Sequence, residues 1–186
     1  MDYNRAMASI KPFPPAKLVC GVLAAADAHF EAAEARLADI FGPPDGRSGR
    51  FSFDFTSYYE PVMGGGLRRG FLGFAGLVPP DRLSDFKIRT NALEAELAAA
   101  LRAGPRPVNL DPGILTAAAL IMATAKDFSH RVPLRDGIYG HLEFLFSKRG
   151  IRRLEWTYPD FRDDRYMPFF LVERKKILAA AGRTRP

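Results

Sequence analysis

The sequence predicts an α+β domain: a ferredoxin-like βαββαβ antiparallel sandwich extended by a helix, a β-hairpin or meander and a C-terminal helix. Two observations carry that expectation. Apolar residues recur with period two in some segments and with helical spacing in others, and the two kinds alternate along the chain. Gly-Pro and Pro-Pro pairs punctuate the boundaries between them. Composition agrees, since 186 residues with 47% hydrophobic and 26% charged side chains suit one domain with a substantial core.

Residues 1–16, rich in proline and without periodicity, read as a flexible leader, and 17–170 as the single domain. Residues 17–25 form a continuous apolar strand. Asp27 is placed to cap a helix whose inner stripe is Phe30, Ala33, Leu37, Ile40 and Phe41, stopped by Gly42-Pro43-Pro44. Phe51, Phe53 and Phe55 alternate with Ser52, Asp54 and Thr56 in a half-buried strand. Gly64-Gly65-Gly66 breaks the chain before a partner strand over 69–78. Pro79-Pro80-Asp81 opens a second helix, with Leu83, Phe86, Leu93, Leu97 and Leu101 inward, which Gly104-Pro105 ends.

A strand over 107–110 completes the βαββαβ pattern. Asp111-Pro112-Gly113 reads as a turn, and the Ala-rich run 114–126 as a buried helix. Arg135-Asp136-Gly137, flanked by 132–134 and 138–146, signals a hairpin. Residues 151–157 form a further strand. Residues 163–181 form an amphipathic helix with Met167, Phe170, Leu171 and Leu178 inward, and 171–186 are its basic end.

Cys20 is the only cysteine, which excludes an intrachain disulfide and a multi-cysteine zinc site; within its apolar strand it reads as a buried, inert thiol. The longest apolar run has twelve residues, short of a bilayer span. Lys17 followed by an apolar stretch and Asp27-Ala28 mimics a signal peptide. The prolines before it and the strand reading argue otherwise, so a cytoplasmic protein is expected, with no membrane partner. Residues 1–147 carry 16 basic and 16 acidic side chains, whereas 148–186 carry 11 and 5. The excess of +6 thus lies in the last 39 residues, as a solvated tail or as a contact for an anionic partner.

Few motifs carry chemistry. Gly64–Gly70 is glycine-rich but lacks the Gly-Lys-Ser/Thr ending of a phosphate loop. Among the histidines, His29 falls on the outer face of its helix and His141 reads as structural. His130 stands in the polar cluster Lys126-Asp127-Phe128-Ser129-His130-Arg131. Three other segments mix polar and aromatic groups at element ends: Asp54 to Glu60 with Tyr58 and Tyr59, Asn109 with Asp111, and Trp156 to Phe161 with Tyr158.

These segments resemble an uncharacterised bacterial family, domain of unknown function 4416. The likeness rests on Phe53-Asp54-Phe55-Thr56 with Tyr58-Tyr59-Glu60, on Lys87 with Thr90-Asn91, and on Val108-Asn109-Leu110-Asp111-Pro112-Gly113. It continues through Lys126 to Arg131, Gly137-Ile138-Tyr139 and Trp156-Thr157-Tyr158-Pro159-Asp160-Phe161, so it spans about 17 to 170. It implies no established activity. Some members carry a GTP-binding label, for which this chain has no P-loop. What the likeness implies is that segments far apart in sequence belong together.

The leading expectation is a small anionic ligand, phosphate- or nucleotide-containing, held in a polar cleft; metal-assisted or His-based acid/base chemistry, and hence enzyme status, stay open. His130, Asp127 and Asp54 are the candidate catalytic groups. Tyr58, Tyr59, Glu60, Lys87, Asn91, Asn109, Asp111, Lys126, Arg131, Trp156 and Tyr158 are the candidate ligand-binding groups. Histidine titrates near neutrality, and Lys87, Lys126 and Arg131 supply an anion clamp. The carboxylates of Asp54, Glu60, Asp111 and Asp127 suit a hard cation such as Mg²⁺ better than zinc. Two other classes stay open: a nucleic-acid-binding module using the basic C-terminal region, and a non-catalytic scaffold that self-associates into homo-oligomers. The neutral core region ranks nucleic acid below a small ligand.

Overall fold

The computed structural model describes residues 9–147 and 150–183. It is an α+β structure with an antiparallel sheet and four helices. Strand β1 (Lys17–Ala24) is buried along its whole length, so after Lys17 its sequence is apolar rather than alternating. It lies between β4 (Arg68–Phe74) and β5 (Val108–Leu115), antiparallel to both. Short strands β2 (Pro44–Arg47) and β3 (Phe51–Ser52) pair with the far edge of β4. The predicted alternating strand leaves the sheet after Ser52, because Phe53 turns into a small cluster with Leu23 and Leu67.

Helix α1 (Asp27–Phe41) buries Phe30, Ala33 and Leu37. Asp27 is not its cap. It is the first helical residue, Ala26 holds the cap position without a side-chain bond, and the Asp27 carboxylate pairs with Arg50 and Arg68. An acidic group there still favours the positive end of the helix dipole. Helix α2 (Glu60–Met63) is a single turn. Helix α3 (Leu83–Leu101) follows a 3-10 turn at Pro80–Arg82 and lies with α1 on one face of the sheet.

The largest departure from expectation lies at 114–126, which is not a helix. β5 continues to Leu115, turns over 116–118 and returns as β6 (Ala119–Thr124). Ile114, Ile121 and Ala123 pack toward α1 and α3, while Leu115, Leu120 and Met122 pack toward the opposite face. A hairpin covered on both faces is apolar throughout and imitates a buried helix in sequence. Thr116 sets the turn, its Oγ1 accepting from the N–H groups of Ala118 and Ala119 at 3.1 and 2.9 Å.

Next come β7 (Val132–Pro133), β8 (Tyr139–Ser147) and β9 (Gly150–Arg153), both short strands pairing with β8. The β7–β8 turn is the expected one, with Asp136 at φ 56° and Gly137 at φ 72°, two positive values in succession as tight hairpins require. β9 stops at Arg153, short of the predicted Thr157. Helix α4 (Met167–Arg183) runs unbroken past 170 and covers the sheet face opposite α1 and α3. Met167 and Phe170 point inward as predicted, but Leu171 and Leu178 are exposed, and Phe169 and Ile177 take the inner stripe instead. The strand order is β2-β4-β1-β5-β6-β8-β7. Among the described residues no helix is long and apolar enough to cross a membrane.

One polar device fastens α4. Gly46 and Gly73 are cross-strand neighbours on β2 and β4, and the slot they leave admits Glu173. Its Oε2 lies 3.3 Å from Lys17 Nζ, which donates to Asp45 at 2.8 Å and to the Phe74 carbonyl at 2.6 Å. Gly73→Ala would put a Cβ 2.5 Å from Glu173 Oε2 and 2.7 Å from its Cδ. We expect that substitution to lower the unfolding free energy by about 1–3 kcal/mol, as overpacking does. Urea denaturation measures it, and unchanged stability would show that α4 is not seated in this slot.

Candidate functional site

The pairing of β5 with β6 covers Gly113, Ile114 and Leu115 and goes no further. The next residue of β5 is Pro112, which has no N–H to offer a ladder. Asp111-Pro112-Gly113 is therefore not the predicted turn; it lies inside a strand still paired with β1, Gly21 opposite Asp111 and Cys20 opposite Pro112. Beyond this point β5 and β6 separate. A cavity of about 580 Å³ occupies the gap, lined from the α3 side by Lys87 and Asn91 and from the α4 side by Arg69, Tyr158 and Asp160. Phe53, Tyr58 and Tyr59 form a further aromatic wall.

The floor is a chain of buried charges. Arg69 Nη1 donates to Asp111 Oδ2 at 2.7 Å, Asn109 Nδ2 donates to the same oxygen at 2.6 Å, and Lys87 Nζ stands 3.6 Å from Asp111 Oδ1. Although burial alone would raise it, the Asp111 carboxyl is held below the usual aspartate range by Arg69 and Lys87. Glu94 braces the strand start, taking the Leu110 N–H at 2.7 Å and Arg106 at 2.7 Å. Gly21 makes room for this floor, since a Cβ there would come 2.9 Å from Arg69 Nη1. Cys20 lies on the other side of β1, buried, its thiol pushed up chiefly by burial.

The β8 wall carries a second chain. His141 and Glu143 are both fully buried, with His141 Nε2 3.1 Å from Glu143 Oε1. A bulge in β8 opposite Leu120 and Ile121 lets His141 and Phe144 face the same side. Arg131 Nε donates to His141 Nδ1 at 3.3 Å, and His130 Nε2 lies 3.2 Å from the same atom. A guanidinium can only donate, so Nδ1 is the acceptor and the ring proton sits on Nε2, toward Glu143. The remaining donors of Arg131 go to the Lys126 carbonyl at 2.6 Å and to the Tyr158 hydroxyl at 2.5 Å. Arg131 is thus a brace that positions Lys126 and Tyr158.

Of the candidates named from sequence, Tyr58, Tyr59, Lys87, Asn91, Asn109, Asp111, Lys126 and Tyr158 line one cavity. His130, Arg131 and Trp156 stand outside that lining. His130 stacks on Trp156 with centroids 5.2 Å apart, and Trp156 Nε1 donates to the Leu142 carbonyl at 2.9 Å. Trp156 thus covers the unpaired middle of β8 and His130 rather than walling the cavity. Asp54, Glu60 and Asp127 are exposed and do not line it. Among the described residues no three His, Cys, Asp or Glu side chains are arranged to hold a metal ion. The polar cluster 126–131 follows a strand, not a helix, because β6 replaces the expected helix.

Residues 14–176 match the model of a family described as a domain of unknown function, number 4416. The chain belongs to that family. No curated protein and no solved structure matches it. The segments that carry the family likeness, distant in sequence, supply most of the cavity wall in this member of family 4416.

Four lining or backing residues escape a reading of the sequence: Arg69, His141, Glu143 and Asp160. For His141 and Glu143 the signal was present, since each is an ionisable group inside the apolar run of β8, and such groups are buried only when paired. Burial pushes the Glu143 carboxyl above the usual glutamate range, against the opposing pull of His141 and the Tyr158 N–H. Such a carboxyl binds more protons in the folded than in the unfolded chain between the two values, so it detracts from stability as pH rises through that window. Glu143→Gln should therefore gain on wild type as pH climbs from 4.5, the ordinary glutamate value, and level off above the folded value. Urea titrations from acid to neutral pH test this; a difference independent of pH would mean that Glu143 titrates as a free side chain.

Proposed function

We propose that the cavity binds a small anionic ligand of the phosphate class. The supporting observation is the charge left over when its ion pairs are counted. Arg69, Lys87, Arg106 and Lys126 line the cavity against the carboxylates of Asp111 and Asp160, and Arg106 is paired with Glu94 behind the wall. Lys126 is the remaining cation. Its Nζ stands 4.1 Å from the Tyr58 ring, and it has no carboxylate partner among the described residues. An ammonium held over an aromatic face beside a roomy cavity is poised for an anion.

The reading is one of binding. The lone pair of His141 is already taken by Arg131 and His130, and burial, with His141 and Arg131 adding to it, holds His130 below the usual histidine range. The carboxylate best placed in the cavity, Asp111, is engaged by Arg69 and Asn109, which favours an anion over a divalent cation as the guest. We further infer that the frame holding the site is a ferredoxin-like unit. The antiparallel order β2-β4-β1-β5, with α1 and α3 on one face, supports this, and β6, β8 and β7 extend the sheet.

Inorganic phosphate and pyrophosphate, titrated calorimetrically at low salt, are the probes. Lys126→Ala should weaken binding about ten- to a hundredfold, the worth of one charge-assisted hydrogen bond. Asp127→Ala, next in sequence but outside the cavity, should leave it unchanged. Equal binding by wild type and Lys126→Ala would sink the proposal.

A further inference from the structure

Arg69 and Asp160, already counted above as charges, each leave one atom without a hydrogen bond. Arg69 Nε and Asp160 Oδ2 are both buried without a hydrogen-bond partner, on side chains of residues only 4% and 5% exposed. They stand 3.6 Å apart, beyond hydrogen-bond reach of one another. One is a donor that cannot accept, the other a carboxylate oxygen. Leaving such atoms unmatched inside the protein is unfavourable.

A phosphate oxygen would satisfy Arg69 Nε and repel Asp160, while an ammonium would do the reverse. A hydroxyl does both, because it accepts from the guanidinium and donates to the carboxylate. The surrounding walls agree with a polyhydroxy carbon skeleton. Phe53, Tyr59, Tyr158 and Phe161 offer apolar ring surface for C–H groups between the polar contacts, and the volume of about 580 Å³ accommodates one sugar unit with a charged substituent.

Resting on the anion-binding reading of the same cavity, we infer that its ligand is a sugar phosphate, with the phosphate on the Lys126 side and a ring or chain hydroxyl bridging Arg69 and Asp160. The bridge is the source of selectivity. A site that hydrogen-bonds a hydroxyl rejects the analogue lacking it, since its own buried groups are then left unpaired.

Calorimetric titration with ribose 5-phosphate, glucose 6-phosphate, n-hexyl phosphate and inorganic phosphate tests this. Wild type should bind at least one of the two sugar phosphates about tenfold or more tightly than hexyl phosphate, the equivalent of a single lost hydrogen bond. In Asp160→Ala that preference should collapse to within about twofold, while inorganic phosphate binds no more weakly than to wild type, which also shows that the variant is folded. Asp160→Asn, which keeps an acceptor oxygen in place, should retain part of the preference. Hexyl phosphate binding as tightly as both sugar phosphates, or a preference that survives in Asp160→Ala, overturns the sugar assignment and leaves the anion site standing. Failure of inorganic phosphate and all the esters to bind overturns both.

Discussion

A sheet closes when each strand gives its N–H and C=O groups to a neighbour, and here one neighbour is withdrawn halfway. β5 keeps β1 along its whole length but holds β6 only over Gly113, Ile114 and Leu115. Pro112 stands where the second ladder ends, and a proline cannot be a donor in one. The separation that follows opens the interior of the sheet rather than its surface. Side chains from both faces of the sheet can therefore meet there, Lys87 from α3 and Arg69 from the α4 side of β4 converging on Asp111. A cleft cut into an outer face would not bring the two together.

Opening the sheet centre puts charge where water is scarce, and removing an ion from water costs several kcal/mol even after relaxation. The floor offsets this by alternation: Asp160, Arg69, Asp111 and Lys87 succeed one another with opposite signs. Gly21 is the condition for it. A side chain at that point of β1 would take the volume of the Arg69 guanidinium, and Asp111 would lose its main counter-charge. The same logic runs through the β8 wall, where Glu143 lies against His141, His141 receives Arg131, and Arg131 fixes the Lys126 backbone and the Tyr158 hydroxyl. Glu143 and Arg131, which do not line the cavity, thus help set the position of residues that do.

Much of the frame was legible in the sequence, and so was a good part of the cavity wall. β1, α1, α3 and the β7–β8 hairpin are local matters, set by runs of apolar residues, glycine and proline punctuation, and a turn with two positive φ values. The β5–β6 hairpin was not legible, because Ile114 to Thr124 is buried from both sides and loses the alternation that marks a strand. That one misreading moved Asp111 to a turn and placed the 126–131 cluster after a helix. Asn109, Asp111 and Lys126 were found because polar groups at element ends stand out, and Lys87 through the family likeness. Arg69 was missed because its partners Asp111 and Asp160 lie far off in sequence, and cross-strand register is invisible in a single chain.

Two of the buried ionic networks on the α4 side of the sheet differ in a way that bears on which one is a site. Lys17, at the start of β1, gives its donors to Asp45 and Phe74 and lies against Glu173, which fills the slot left by Gly46 and Gly73. That network is packed shut, and its consequence is mechanical, fastening α4 across β2 and β4. Arg69, which lies opposite Leu23 near the other end of β1, keeps Nε unmatched beside an unmatched Asp160 oxygen, and both residues line the cavity. Desolvation penalises both networks, and each leaves an unmatched carboxylate oxygen, Glu173 Oε2 in the first, but only in the second do the unmatched atoms belong to residues that line the cavity. Stability alone would favour closing it, as the first network was closed. A buried donor and acceptor kept apart beside a cavity therefore argue for a ligand more strongly than the number of charges around them does.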